Sequence, residues 1–271
     1  MEATETPGAL YHRHGDRLVP TGLTRGGWSD DAQHGSPPAG VLARAIENVP
    51  TAAPMQVVRY TIDLFRPVPL RPLTTETTVR REGRRIQVVD ALLLDRDIPV
   101  GRATALKIRT VDHLGLPERN EEPWEQPPGP DQADTVDWRG EFGDGTDLER
   151  FHLHAVEIRT FSDSFLAHRP GLSWFRLRFP LVAGEASTPF VTLATLADMS
   201  NGNSQALEPS EWLYVNPDIT LYAHRMPKGD WIGMKSAAYQ HDHGIGLADT
   251  RVFDRSGPLG RINQAQLLDR R

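Results

Sequence analysis

The stretch LATLADMSNGNSQAL, residues 193–207, places a carboxylate and several small polar residues between two apolar runs. Asn and Gly are typical of a turn, but a turn does not require the aspartate, Asp198. A carboxylate beside a reacting carbonyl can take a proton from water, and the N–H groups at a helix start can stabilise an oxyanion. We therefore expect Asp198, which precedes a predicted helix start near Ser200, to act on water. The alternative is a simple N-cap, whose carboxylate accepts the first N–H groups of that helix.

Composition limits the kind of protein to which such a site belongs. The chain has 271 residues, 38% of them hydrophobic and 24% charged, which describes one large or two ordinary globular domains. It has no cysteine, so disulfides, thiolate nucleophiles and Cys-ligated metals are excluded. A net charge of −6 and a pI of about 5.9 argue against a nucleic-acid partner. The polar N-terminus and the lack of a long apolar run favour a cytoplasmic protein without a membrane span.

Two parts of the chain match each other at a constant offset. "DLFRPVPL" (63–70) ends a strand-like run at Arg66, and "LYAHRMPKG" (221–229) does the same at Arg225, 159 residues later. "LDRDIPVGRATALKIR" (94–109) and "FDRSGPLGRINQAQLL" (253–268) share Asp-Arg-x-x-Pro-x-Gly-Arg at the same offset. Two matches in one register indicate an internal duplication.

The duplication divides the chain into three segments. We predict an N-terminal repeat at 1–110, a surface linker at 111–150 and a C-terminal repeat at 151–271 that carries the polar site. The linker holds twelve Asp or Glu against three Arg, with five Pro and five Gly. Such a composition without sustained periodicity is typical of an exposed connection.

Each repeat has the pattern of one helix and a long antiparallel sheet. "SPPAGVLARAIENV" predicts a helix with Ser36 as its cap and Pro37 in the first helical position. Apolar runs predict strands at 55–66, 73–82, 84–95, 99–109, 153–160, 172–181, 188–197, 212–225, 230–240, 245–254 and 259–269. We expect an α+β fold in which the two halves join edge to edge into one sheet around both helices.

An ordered set of segments resembles the double-hotdog acyl-CoA thioesterase family, of the acyl-CoA thioesterase II type. In the first half these are "GGWSDDAQHGSPPAGVLARAIE", "RYTIDLFRPVPL" and "GRATALKIR"; in the second they are "LADMSNG", "VNPDITLYAHRMPKGDW", "GIGLADTRVFDRSG" and "GRINQAQLL". The resemblance implies two tandem hotdog repeats, each a long sheet wrapped around a central helix. It also implies hydrolysis of acyl-CoA or related thioesters in lipid metabolism without a cofactor, and a possible homodimer.

The resemblance further implies a polar trio that orients the hydrolytic water. Carried over by position, the trio is Asp198, Asn216 and Gln264, with Asn216 standing where the family's usual residue is threonine or similar. Gln264 and Gln266 lie two apart and share a strand face; counting from Gly257 favours Gln264.

The offset of 159 predicts one active site per chain. The counterparts of the trio in the first half are Ala39, Val57 and Ala105, none of which can act on water. We also expect three residues to contact substrate: His34, Gly35 and Gly202. For His34, which lies at the helix entrance of the first repeat, the alternative is a purely local hydrogen bond.

Two other functions remain open from sequence. One is a non-catalytic protein that binds acyl or polyketide groups. The other is an enoyl-CoA hydratase, whose pattern resembles an Asp followed five residues later by His; here that position is Asn203, so the second proton-transfer group is missing at that spacing. No G-x-S-x-G occurs, which excludes the serine-nucleophile route. Three His-x-His pairs lack an acidic third ligand by spacing, so we expect no metal.

Overall fold

The structure is a computed structural model that describes residues 8–116, 123–135, 147–161, 171–204, 207–208 and 210–271. Its α-helices are α1 (Ser36–Glu47), α2 (Pro189–Leu196) and α3 (Met199–Asn203). The strands of the first half are β1 (Tyr11–His14), β2 (Arg17–Pro20), β3 (Met55–Leu64), β4 (Thr74–Arg81), β5 (Ile86–Asp95) and β6 (Ile98–Arg109). The strands that follow are β7 (Asp134–Thr135), β8 (Val156–Thr160), β9 (Gly171–Leu177), β10 (Trp212–Val215), β11 (Asp218–Ala223), β12 (Ile232–His241), β13 (Ile245–Asp254) and β14 (Gly257–Arg270).

One antiparallel sheet joins the two halves. Within the described residues it has 12 strands in the order β4-β5-β6-β3-β11-β14-β13-β12-β9-β8-β7, with β10 paired to β14. The halves meet where β3 pairs with β11. The expected α+β architecture, two hotdog repeats sharing one sheet, is therefore confirmed.

The offset of 159 residues is a symmetry of this sheet. Thr61 lies opposite Thr220 at the junction, and their Oγ1 atoms are 3.4 Å apart. Thr104 faces Thr61 from β6, as Asn263 faces Thr220 from β14. The register shift between Leu93 and Leu94 of β5 also recurs, between Val252 and Phe253 of β13. A pseudo-twofold axis therefore passes between Thr61 and Thr220.

The helices pack against each other inside the sheet. Val41, Leu42 and Ile46 of α1 are buried in the core, and each such side chain contributes about 1.5–3 kcal/mol on burial. At Gly40 the helices approach so closely that a Cβ would lie 2.2 Å from the Oγ1 of Thr195 on α2. Glycine is required there because any side chain would push the two helices apart.

The predicted strand at 188–197 is wrong, because this segment forms α2. Pro189 occupies the first turn, and the Thr188 hydroxyl accepts a hydrogen bond from the Val191 N–H at 3.1 Å. The run is apolar on nearly all sides and buried, and periodicity alone does not separate a short buried helix from a buried strand. The second half consequently has two consecutive helices in place of the single one expected near Ser200.

Three smaller predictions also need correction. The N-cap of α1 is Gly35, and Ser36 is the first helical residue. The predicted strand at 212–225 is divided into β10 and β11 at Asn216, since the following Pro217 has no N–H for the sheet. Residues Phe151–Ala155 form a π-helical turn, so only the remainder of the predicted strand at 153–160 is extended.

Residues 123–135 of the 111–150 segment pack against the C-terminal repeat. Trp124 contacts the ring of Phe253 with centroids 5.4 Å apart, and the Trp174 indole N–H donates to the Pro128 carbonyl at 2.9 Å. Strand β7 pairs with β8. Among the described helices, none combines the length and the hydropathy that crossing a bilayer demands.

Candidate active site

Asp198 lies between α2 and α3, immediately before the first residue of α3. Its backbone is helical (φ −68°, ψ −20°), and its carboxylate makes no capping bond to α3. The N-cap alternative is therefore wrong. The carboxylate instead lies against the start of α1 in the other repeat, where a Cβ on Gly35 would stand 2.7 Å from Asp198 Oδ2. Only glycine allows this approach.

Four donors surround the Asp198 carboxylate. Oδ1 accepts from Asn216 Nδ2 at 2.7 Å and lies 3.4 Å from Gln264 Nε2. Oδ2 lies 2.9 Å from His34 Nδ1, and the backbone N–H of Ser36 also hydrogen bonds to the carboxylate. The structure thus brings together Asp198, both predicted amides and the predicted loop at His34.

These bonds determine the protonation state of the carboxyl group. Burial by itself would raise the pKa of Asp198, whose side chain is 6% exposed. The charge and hydrogen bond of His34, the Asn216 amide and the Ser36 N–H oppose burial and hold the pKa below its ordinary value. Asp198 is therefore a carboxylate at neutral pH.

Further polar side chains orient the two amides. Gln264 Oε1 accepts from Ser200 Oγ at 2.9 Å. Asn201 Nδ2 donates to Asn216 Oδ1 at 3.0 Å, and Gln266 Nε2 donates to Asn201 Oδ1 at 2.7 Å. Both glutamines face inward, as their spacing predicted, but only Gln264 reaches Asp198. Sequence reasoning assigned no role to Ser200 or Asn201, although the polar run that follows Asp198 contained the signal.

His34 connects the cluster to the other repeat. Its ring packs on Phe151 with centroids 5.1 Å apart, and the His152 ring lies 6.0 Å away. The side chain is 19% exposed. The sequence argument that no histidine accompanies Asp198 considered spacing along the chain only, whereas the two residues meet across the interface between the repeats.

Gly202, also a predicted site residue, makes no described contact with the Asp198 carboxylate or its partners. It lies on α3, and a Cβ added there would meet nothing within 4 Å. The described residues contain no group of three or more His, Asp or Glu placed to hold a metal ion. Trp124 lines one surface cavity and Arg71 lines another, and neither cavity includes residues of the Asp198 cluster.

The corresponding place in the first repeat is apolar. Ala39, Val57 and Ala105, the residues at the offset of 159, are all buried in the core. The Asp198 cluster therefore has no polar counterpart at these positions.

Two protein-family models match most of the chain. Residues 24–108 match the acyl-CoA thioesterase N-terminal domain, and residues 121–268 match the acyl-CoA thioesterase C-terminal domain. A search of curated proteins finds no match to this sequence.

Solved structures support the same fold at low sequence identity. A candidate thioesterase II from Thermobifida fusca YX is 18% identical with a TM-score of 0.73, covering 97% of this chain and 96% of that chain. A conserved hot dog fold protein from Alicyclobacillus acidocaldarius is 15% identical with a TM-score of 0.72, covering 96% and 95%. The acyl-CoA thioesterase II TesB2 from Mycobacterium marinum is 15% identical with a TM-score of 0.66, covering 89% and 90%.

Proposed function

Because the chain belongs to the acyl-CoA thioesterase family, we propose that the cluster around Asp198 is where it hydrolyses acyl thioesters. In this proposal the trio of Asp198, Asn216 and Gln264 orients the attacking water, and the two amides are the groups that contact it. The observation that carries it is the convergence of two amides, Asn216 and Gln264, on the buried carboxylate of Asp198. Such positioning lowers the barrier by turning a bimolecular encounter into an ordered one.

The cluster retains donors for both the water and the carbonyl oxygen. Each amide nitrogen of Asn216 and Gln264 carries two hydrogens, and the bond to Asp198 uses one of them. The Gly35 N–H, at the start of α1, makes no hydrogen bond among the described residues. It is our candidate donor for the oxyanion that forms when water attacks the thioester carbonyl.

One observation favours enoyl-CoA hydration as a second candidate. Hydration needs a second proton-transfer group beside the carboxylate, and His34 Nδ1 lies 2.9 Å from Asp198 Oδ2. The family assignment favours hydrolysis, because its reaction is thioester cleavage. A purely acyl-binding protein would bind the same ligands without turnover.

A panel of acyl-CoAs of increasing chain length separates these functions. Release of CoA, measured with a thiol-reactive dye, is expected for the wild type and should be lost in Asp198→Asn. Loss of the enoyl absorbance of crotonyl-CoA without CoA release would instead establish hydration. Saturable acyl-CoA binding with neither reaction would show a binding protein and overturn the proposal.

A further inference from the structure

We propose that His34 is a catalytic residue: its Nε2 accepts the proton of the attacking water, and Asp198 is the positioning residue that holds the imidazole. This inference rests on the proposed hydrolysis and changes the assignment of its base. The sequence assigns proton transfer to the aspartate, and the family resemblance implies that the trio orients the water. The geometry favours the imidazole as the base.

The carboxylate of Asp198 has no free acceptor site. Two carboxylate oxygens offer about four lone-pair positions. Asn216 and Gln264 donate to Oδ1, while His34 and the Ser36 N–H bind the other side. A water proton could reach the carboxylate only by displacing one of these donors. The bonds also lower the pKa of Asp198, and a weaker base accepts a proton less readily.

His34 offers the acceptor that Asp198 lacks. Its contact with the carboxylate uses Nδ1, so a hydrogen on Nδ1 donates to Asp198 Oδ2 across 2.9 Å. The Ser36 N–H is directed at the same Nδ1 across 3.1 Å and also hydrogen bonds to the carboxylate. In our proposal the hydrogen is on Nδ1, and the Ser36 N–H then bonds to Asp198 alone. In this tautomer Nε2 carries a lone pair, and the described residues supply it with no hydrogen bond.

Exposure and packing agree with this assignment. The His34 side chain is 19% exposed, against 6% for Asp198, so the imidazole is the more accessible of the two. The Phe151 ring packs against it, and two titratable groups of the described residues, Asp198 and His152, face it. A base oriented by a buried third group is a recurrent arrangement for activating a nucleophile.

The reaction balances with water as the only second reactant. Water oxygen bonds to the thioester carbonyl carbon while Nε2 takes one of its protons, and the carbonyl π electrons move to the oxygen. The tetrahedral intermediate then re-forms the carbonyl and breaks the C–S bond. The departing thiolate takes the proton from Nε2–H, which regenerates neutral His34. The products are the carboxylic acid and the free thiol.

The origin of His34 and Asp198 in different repeats also explains why the chain has one such site. The residue 159 positions after His34 is Leu193, and the residue 159 positions before Asp198 is Ala39. The imidazole therefore comes from the first repeat and the carboxylate from the second. Neither repeat alone contains the pair.

His34→Asn is the decisive variant, because the asparagine amide replaces the Nδ1 donor but has no group equivalent to Nε2. If His34 only holds Asp198 in place, this variant keeps its activity. If His34 is the base, kcat falls by about 10²–10⁴-fold and the acidic limb disappears from the pH profile of kcat/KM. His152→Asn, which alters the neighbouring imidazole, should keep both kcat and that limb.

Two further measurements distinguish loss of the base from loss of folding. Circular dichroism and thermal melting establish whether His34→Asn and His34→Ala are folded, and added imidazole should restore part of the activity of His34→Ala. Wild-type activity and an unchanged pH profile in His34→Asn would overturn this inference and leave the hydrolase intact. Absence of CoA release by the wild type would instead overturn the proposed function.

Discussion

The two repeats have the same strand register, but the equivalent positions of their last strands, β6 and β14, carry different side chains. In the second repeat, Gln264 and Gln266 project from β14 toward the polar residues around Asp198. In the first repeat, their counterparts on β6 are Ala105 and Lys107. Lys107 donates to the carbonyl of Val49, just beyond α1, at 2.9 Å. At this place the second repeat therefore supplies amides to the candidate site, whereas the first repeat uses a lysine to secure a helix end.

The comparison teaches that a duplicated sheet can support a site to which both copies contribute. The β3–β11 pairing keeps the backbone symmetric about Thr61 and Thr220. The helices are not equivalent, since α1 is continuous and the second repeat has α2 and α3. Asp198 lies at the break between α2 and α3, where its side chain reaches the start of α1.

The largest effect is expected for Asp198→Asn, which removes the carboxylate that the first repeat lacks at the equivalent position. kcat should fall by about 10³-fold, because His34 loses its anionic partner and the amides lose their common acceptor. Steady-state kinetics checks this. Asp95→Asn, a mostly buried carboxylate paired with Arg71 in the first repeat, is the matched control and should change kcat less than twofold.

The same variant has a defined pH dependence of stability. The folded-state pKa of Asp198 is lowered, so its charge stabilises the fold above the ordinary Asp value of about 3.9. That contribution is lost as pH falls through the lowered folded-state pKa. Denaturant unfolding should therefore show a wild-type advantage over Asp198→Asn at neutral pH that shrinks in acid. An advantage that grew in acid would contradict the charged assignment.

A smaller loss is expected for Gly35→Ala. The new Cβ would lie 2.7 Å from Asp198 Oδ2 and 3.0 Å from its Cγ, so the carboxylate must move. kcat should fall by about 10²-fold, since misplacing a reacting group by an ångström has effects of this size. Gly202→Ala meets open space and should preserve kcat. A raised KM in Gly202→Ala would show that Gly202 contacts substrate, as the sequence predicted.

Asn216→Val installs the residue found at the equivalent position of the first repeat. It removes a donor to Asp198 at 2.7 Å and should lower kcat by about 10–10²-fold. Asn216→Thr restores a hydroxyl donor, and we expect it to recover most of the loss. If Asn216→Val and Asn216→Thr have the same kcat, hydrogen bonding at this position is not needed for turnover.

The smallest effect on activity belongs to Gln87→Ala in the first repeat. The fully buried Gln87 donates to the Pro50 carbonyl at 2.7 Å and to Glu82 Oε2 at 2.8 Å. Its loss should lower the free energy of unfolding by about 1–3 kcal/mol and leave kcat within twofold. Thermal melting and kinetics on one preparation test both parts; a selective loss of kcat would contradict a purely structural role.

Much of the fold could be predicted because the relevant signals are local or repeated. The strand at 245–254 was predicted with its observed bounds, and the offset of 159 recurs in the sheet register. The segment 188–197 could not be assigned correctly, because a short run that is apolar on all sides has no period that separates helix from strand.

The candidate site was predictable only in part. Asp198, Asn216 and Gln264 followed from an ordered resemblance, and the structure places them in contact. The partnership of His34 with Asp198 could not be found by spacing, because the two residues belong to different repeats. Asn201 was visible as a polar residue, but its bond to Asn216 depends on how α3 approaches β10.

The sequence by itself determined the duplication, the α+β class and the polar side chains that the chain can bring to a reaction. Alternation and turn residues carry that information because they act over short distances along the chain. The repeated motif carries it because two stretches of sequence can be compared directly. Only the tertiary structure decided that the start of α1 faces Asp198, and that the carboxylate is saturated by donors while the imidazole is not. Those facts depend on the packing of two helices across the interface between the repeats, and no linear spacing encodes that distance.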